Sequence, residues 1–252
     1  NELIMAFDDG IANKEFIVYF QPKYDTNTEE MVGAEALVRW KRSNGIIMNP
    51  GQFIDLFEGN SRIVELDNYV LNVTCAYQRE MRESGKKIVP VSVNFSRLHL
   101  FDENFPIFLK ETVESYGLAH SDIEVEITET AAMRDTVIIL PVIKQMREYG
   151  FKMEVDDFGS GYSSLNTIKD LPIDVIKIDR KFLISEANNT KVLAIINTIV
   201  KLSKELCITT VLEGVETAEQ LEIARKCKVD IIQGYYYARP MDYSSYQELL
   251  VA

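Results

Sequence analysis

The chain has 252 residues, 46% of them hydrophobic, with 27 Lys+Arg against 39 Asp+Glu for a formal net charge of −12. That composition supplies ample apolar material for a core in one large α/β domain or two small ones. It lacks the basic footprint that bulk nucleic acid or an anionic membrane surface requires, although a small phosphate compound can still bind if metal ions bring the positive charge.

In chain order, a helix over 3–13 leads into a first strand at 15–21 (EFIVYFQ), and a second strand follows at 31–39 (MVGAEALVR). Little more than YDTNTEE lies between the two strands. A parallel crossover needs a dozen or more residues, so the first strand is expected to run antiparallel to the second. Helical periodicity then covers 62–84, and strands follow at 88–94 and 123–128, a helix at 134–149 and a strand at 151–156. The remaining elements are a strand at 174–178, a helix at 190–205, a strand at 207–213, a helix at 217–227 and a strand at 230–234. The turn before Ser121, Gly150 and Pro172 fall where such elements should end. Eight strands alternating with helices give an α/β class, a modified TIM-type barrel of eight strands with the first strand antiparallel to the rest. No Pro/Gly/Ser-rich linker and no repeat divides the chain, so 1–252 reads as a single domain.

Polar residues interrupt these apolar strands in a regular way. Glu35 and Arg39 share one face of the second strand, Asn94 ends the third, and Glu126 lies near the end of the fourth. Asp156 and Asp157 close the fifth, Lys177 and Asp179 share a face at the end of the sixth, Glu213 ends the seventh and Gln233 the eighth. Singly each has a plain structural account. An isolated Glu can be a solvated edge, Lys177 and Asp179 a surface ion pair, Asn94 a turn residue and EITE at 126–129 a capping pattern. Gly159 and Gly161 can serve a turn that needs positive φ.

Together they are harder to dismiss, because barrel active sites are assembled at the C-terminal ends of strands. Four or five carboxylates converging on one mouth require cations. Neighbouring residues of a strand point to opposite faces, but Asp157 sits where the strand gives way to the Gly159–Gly161 loop. There the alternation ends, the second carboxylate can swing to the same mouth, and Asp156 can bridge two ions. Oxygen ligands with one amide favour Mg²⁺ or Mn²⁺ over zinc. Two such ions about 3.5–4 Å apart are a standard device for in-line attack of water on a phosphodiester.

EALVRW at 35–40, SVNFS at 92–96, EITET at 126–130, DDFGSGYSSL at 156–165, IKID at 176–179, LEGVET at 212–217 and QGYYYARP at 233–240 resemble the successive signatures of the EAL domain family. With QPKYD at 21–25 and EFIVYF before it, the resemblance covers essentially the whole chain in order. It implies a barrel with a reversed first strand and hydrolysis of the bacterial second messenger cyclic di-GMP to linear pGpG. It further implies that Glu35, Asn94, Glu126 and Asp156 hold one Mg²⁺ or Mn²⁺, and that Asp156, Asp157 and Glu213 hold a second. Lys177 is implied to position the attacking water, with Asp179 and Glu216 as its supporting carboxylates. Arg39 would clamp a substrate phosphate, a task that suits its forked donors, with Gln233 and Gln21 beside the substrate. Glu129 is implied to steady the loop Phe158 to Ser164 rather than to touch metal. In relatives that loop couples the site to a dimer interface, which implies a homodimer. Ser160, Leu212 and Phe95 depart from the family pattern, and none of these changes removes a ligand. Two other readings remain open: a catalytically silent cyclic di-GMP receptor, and an unrelated Mg-dependent barrel enzyme that abstracts a proton with Lys177.

The remaining residues say less. Cys75, Cys207 and Cys227 are odd in number and form no CxxC pair, which suits reduced thiols in the cytoplasm. His99 and His120 lie in no HxH or HExxH pattern and are expected on the surface or in loops. No signal peptide is visible, and Pro141, Asn197 and Lys201 break the longest apolar runs, so neither a membrane-spanning helix nor a direct membrane contact is expected. The chain begins at Asn1 rather than Met and reads as a piece of a longer protein whose missing part could carry a membrane anchor.

Overall fold

A short turn sets the first reversal of the chain. Strands β1 (Phe16–Asp25) and β2 (Met31–Lys41) pair antiparallel, from Phe16 opposite Trp40 to Tyr24 opposite Met31. Only residues 26–30 join them, and the Asp25 carboxylate accepts from the N–H groups of Asn27 and Thr28 at 2.8 Å each. Such a side-chain acceptor folds the backbone into a tight turn. β1 runs four residues beyond Gln21, through Pro22 to Asp25. Proline is tolerated there because β9 pairs only with Tyr24 and Asp25, so the missing N–H falls outside that ladder. The computed structural model describes residues 2–133, 136–159, 171–184 and 190–250.

After β2 come a two-residue strand β3 (Ile47–Met48) and then β4 (Val91–Asn94), β5 (Ile123–Thr128), β6 (Lys152–Phe158), β7 (Val175–Ile178), β8 (Thr209–Glu213) and β9 (Ile231–Gln233). From β2 through β4 to β9 each neighbour is parallel, and β1 closes the ring antiparallel to both β9 and β2. The result is a closed barrel of eight strands with its first strand reversed, and β3 is an extra antiparallel pair on the end of β2. Helices Arg62–Glu83, Thr136–Glu148, Thr190–Glu205 and Ala218–Cys227 occupy the segments whose periodicity predicts them. The first of these buries Leu66, Val70, Leu71 and Cys75 on one side, the 3.6-residue stripe of a helix laid on a sheet.

The expected lead-in helix is divided at Ala6 into Glu2–Met5 and Phe7–Ala12. An aromatic cluster fixes the second piece: Phe7 packs on Phe16 and Phe57, and Phe16 stacks on Trp40 with ring centroids 4.6 Å apart. His99 does not lie on the surface as its sequence context suggests. It is buried against Phe95 and Phe105, with Nε2 3.3 Å from the Asp67 carboxylate. The short 3-10 turn Arg97–Phe101 carries it inward. His120 keeps its expected place in a connecting turn. All three cysteines are free, Cys207 exposed and the other two buried. Among the described residues, no helix is long and apolar enough to cross a membrane.

Candidate active site

The polar residues predicted at the strand ends meet around one buried side chain. The Lys177 ammonium is wholly buried and lies 2.5 Å from Glu126, 2.9 Å from Glu213, 3.0 Å from Glu35 and 3.3 Å from Asp156. β7 aims it inward because its neighbours Ile176 and Ile178 face the surrounding helices, by the strand period of two. Glu35 is held on both oxygens: Oε1 accepts from Asn94 Nδ2 at 2.9 Å, and Oε2 accepts from Gln233 Nε2 at 2.7 Å as well as from Lys177. Gln233 also donates to Gln21 Oε1 at 3.2 Å, and Gln21 donates to the Ala238 carbonyl at 3.3 Å. These amides tie the β9–β1 seam to Glu35.

Asp157 turns toward the mouth by backbone geometry. Its φ is +56°, and the β6–β7 register breaks between Val155 and Phe158. β6 therefore continues to Phe158 across a bulge instead of stopping at Asp156, and the bulge re-aims the side chain. The Asp157 N–H donates to Asp156 Oδ1 at 2.8 Å. Oxygens of Asp156, Asp157 and Glu213 lie within 4.8 Å of one another. Gly159 follows at φ +90°, where a Cβ would meet the Phe182 ring at 2.6 Å, so only glycine suits the position. The Glu129 carboxylate accepts from the Gly159 N–H at 2.9 Å, and Glu129 is buried. Ser160, Gly161 and the rest of the expected loop to Ser164 lie outside the described residues.

Two expected partners of Lys177 stand elsewhere. Asp179 is buried but engaged by Lys181, whose N–H donates to Oδ1 and whose Nζ lies 2.9 Å from Oδ2. Its charge instead adds to the burial that raises the Asp157 pKa. Glu216 is exposed beyond β8, and its N–H donates to Gln220 at the start of helix Ala218–Cys227. Among the described residues, the carboxylates within ion-pair distance of Lys177 are Glu126, Glu213, Glu35 and Asp156. Arg39 is half-buried above the site; its Nη1 donates to the Val38 carbonyl at 2.8 Å, and its guanidinium lies 5.6 Å from the Tyr19 ring centroid. A cleft of about 400 Å³ opens from Glu35, Asn94, Asp156 and Asp157 toward Pro50, Ile54 and Phe95.

Among the described residues, four buried polar side chains deeper in the barrel escape the sequence reading: Lys23, Ser92, Glu124 and Glu154. Each lies two positions from a predicted site residue (Gln21, Asn94, Glu126 and Asp156) and so faces inward with it. That parity is the signal that would have found them.

One ammonium does not balance this many carboxylates. Burial pushes Glu213 up to about 8 and Glu126 up to about 6, against the opposing pull of Lys177. Burial also raises Asp156, with Glu35 and Asp157 adding to it. Burial would lower Lys177, but Glu126, Glu213, Glu35 and Asp156 outweigh it and hold the ammonium well above its ordinary value. Hard carboxylate oxygens, one amide and a local shortage of positive charge are the donor chemistry that suits a divalent metal.

A pH dependence follows. The Glu213 carboxyl ordinarily titrates near 4.5 and in the folded state near 8, so between them the folded protein keeps a proton that the unfolded chain has lost. Stability contributed by this group is therefore lost as pH rises through that window. Thermal melts in EDTA at about pH 5 and about pH 8 are expected to show a Tm drop that shrinks in Glu213→Gln and with saturating Mn²⁺.

The EAL domain profile matches residues 5–240. The chain belongs to the EAL domain family. Among its curated relatives are the cyclic di-GMP phosphodiesterase NbdA of Pseudomonas aeruginosa, 33% identical over 96% of this chain, and the oxygen sensor protein DosP of Escherichia coli, 34% identical over 94%. The chain spans only 31% and 30% of the lengths of those two proteins. The structure of the PaMucR phosphodiesterase in complex with c-di-GMP superposes on this EAL domain with a TM-score of 0.92 at 31% identity, covering 98% of this chain and 100% of that one. The barrel with a reversed strand is thus the EAL architecture.

Proposed function

We propose that this EAL domain hydrolyses cyclic di-GMP to linear pGpG with two bound divalent ions, Mg²⁺ or Mn²⁺. The observation that carries the reading is the gathering of Glu35, Glu126, Asp156 and Glu213 on the single buried ammonium of Lys177, with Asn94 and Asp157 at the same mouth. Relatives named as cyclic di-GMP phosphodiesterases support the choice of substrate. Glu35, Asn94, Glu126 and Asp156 would hold one ion, and Asp156, Asp157 and Glu213 the other. Bound there, the ions supply the charge that neutralises the mouth and the Lewis acidity that activates water and grips phosphate.

The chain's own groups do the rest. Arg39, fixed at Nη1 by the Val38 carbonyl, presents its remaining N–H donors to a non-bridging phosphate oxygen. Gln233 and Gln21 order Glu35 from one side and line the substrate's approach. Lys177 Nζ orients the attacking water and balances the charge that builds on phosphorus. Water adds to phosphorus in line with the 3′ oxygen, that one P–O bond breaks, and the 3′ oxygen leaves carrying a proton. Asp179 acts at a distance, through its charge beside Asp157, and Glu216 contributes its main-chain N–H to the helix start after β8. The cleft beside Glu35 gives the nucleotide a mostly apolar place to sit.

Glu129 is a positioning residue for the segment after the two aspartates. Glu129→Ala removes the charged acceptor of the Gly159 N–H, a bond worth about 1.5–3 kcal/mol. Turnover is expected to fall about 10-fold or more, with faster hydrogen exchange at the Gly159 amide. Unchanged kinetics and exchange would remove the role.

We assign the domain to one unit of a longer cytoplasmic signalling protein, assembled as a homodimer. Incubation with cyclic di-GMP and Mn²⁺, followed by identification of the nucleotide product, tests the function. Formation of pGpG supports it; tight binding without hydrolysis would make the domain a receptor, and no binding at all would overturn the substrate.

A further inference from the structure

Beneath the mouth lies a second polar layer that the proposed reaction does not use. Lys23 is buried in β1, with Nζ 2.6 Å from Glu154 Oε2 and 3.0 Å from Ser92 Oγ. Ser92 Oγ in turn donates to Glu126 Oε2 at 2.6 Å, while Glu126 Oε1 faces Lys177. All four are buried. Gly33 lies directly across the β1–β2 pair from Lys23.

Stability gives no reason for this arrangement. A buried ion pair is costly to desolvate, and apolar side chains of similar volume would fill the barrel at least as well. Its direction is informative instead. An ammonium can only donate, so Ser92 Oγ must accept from Lys23. The one hydroxyl proton of Ser92 is then left for Glu126 Oε2. With that oxygen occupied from below, the carboxylate is fixed in rotation, and Oε1 is the atom offered to the mouth.

We propose that Lys23 and Ser92 are positioning residues that set the orientation of Glu126 for metal binding, with Glu154 as the counter-ion that lets Lys23 remain buried. This rests on the reading of Glu126 as a metal ligand. Residues that orient a ligand typically change metal affinity by about 10–100-fold when removed.

The test is a Mn²⁺ titration of metal-stripped protein, followed by the electron paramagnetic resonance of free Mn²⁺ and without nucleotide, beside thermal melts in EDTA. Ser92→Ala is expected to weaken the tighter Mn²⁺ site about 10-fold, and Ser92→Thr, which keeps the hydroxyl, to restore it. Lys23→Met/Glu154→Gln removes both charges together, so the fold is spared an orphaned buried ion. It is expected to melt near wild type yet to bind Mn²⁺ more weakly, and adding Ser92→Ala should weaken binding little further, as for groups acting in one chain. With Mn²⁺ saturating, these variants should lower kcat with little change in KM. Mn²⁺ affinity within about twofold of wild type in Ser92→Ala or in Lys23→Met/Glu154→Gln, while Glu126→Gln weakens it, would overturn the relay. Unchanged affinity in Glu126→Gln would overturn the ligand reading itself.

Discussion

Glu35→Ala is expected to abolish hydrolysis of cyclic di-GMP, by about 10³-fold or more, while the protein stays folded. Glu35 accepts from Asn94, Gln233 and Lys177, so it is both a proposed ligand and the clasp between β2, β4, β7 and β9. Losing it would ordinarily threaten the fold, yet each donor keeps another outlet. Lys177 retains Glu126, Glu213 and Asp156, and Gln233 retains Gln21. Asn94 is only half-buried at the strand end. Removing one anion from a crowded mouth also relieves repulsion, which offsets part of the lost bonding. The expected result is a metal-free Tm close to wild type with turnover near background in Mn²⁺. Near wild-type turnover would show that the first ion is not held here. A collapsed Tm would show that Glu35 is structural, and Glu35→Gln, which can still accept at one oxygen, would then separate the two roles.

The order of strands and the mouth of the barrel were legible because both depend on local rules. The five residues between Asp25 and Met31 cannot span a parallel crossover, so the reversed first strand could be read from loop length alone. The polar strand ends could be read because buried parallel strands are otherwise almost wholly apolar. Other features required tertiary knowledge. The helix Phe105–Ser115 opens on FPIF, which shows no helical stripe until Pro106 is seen in its first turn, where its missing N–H costs nothing. Tyr243–Leu249 is short and polar in pattern, and its position depends on Tyr246 stacking on Phe20 at 4.7 Å, a contact with a strand more than two hundred residues earlier. The partners of Lys177 illustrate the same limit within the site. Asp179 is close in sequence and shares its parity, but the chain turns after Ile178 and delivers that carboxylate to Lys181. Lys23 was hidden because the expected first strand ends at residue 21, which leaves the lysine beyond it until β1 is seen to run on to Asp25 and close the barrel.

Lys177→Met is expected to abolish turnover by about 10³-fold or more and, unlike Glu35→Ala, to lower the stability of the metal-free protein sharply. The ammonium is the only cation within ion-pair distance of Glu35, Glu126, Asp156 and Glu213 among the described residues. Breaking a buried ion pair by removing one partner costs about 3–5 kcal/mol, which in a domain of this size is roughly 10 °C in Tm. The loss should be smaller near pH 5 than near pH 8. At the lower pH Glu213 and Glu126, held up to about 8 and about 6 in wild type, are already protonated and do not need the cation. Removing the ammonium's downward pull raises both further, so toward the higher pH the folded variant must retain protons that the unfolded chain gives up, at a growing cost in stability. Mn²⁺ should then rescue the variant by more degrees than it stabilises wild type, because in wild type a metal must first win these oxygens from the ammonium, whereas in the variant they are unclaimed. Thermal melts of both proteins at two pH values, with EDTA and with Mn²⁺, measure every part of this. A variant that melts like wild type in EDTA, or gains no more from Mn²⁺, would mean that the carboxylates are kept together by the barrel itself and that Lys177 serves the reaction alone.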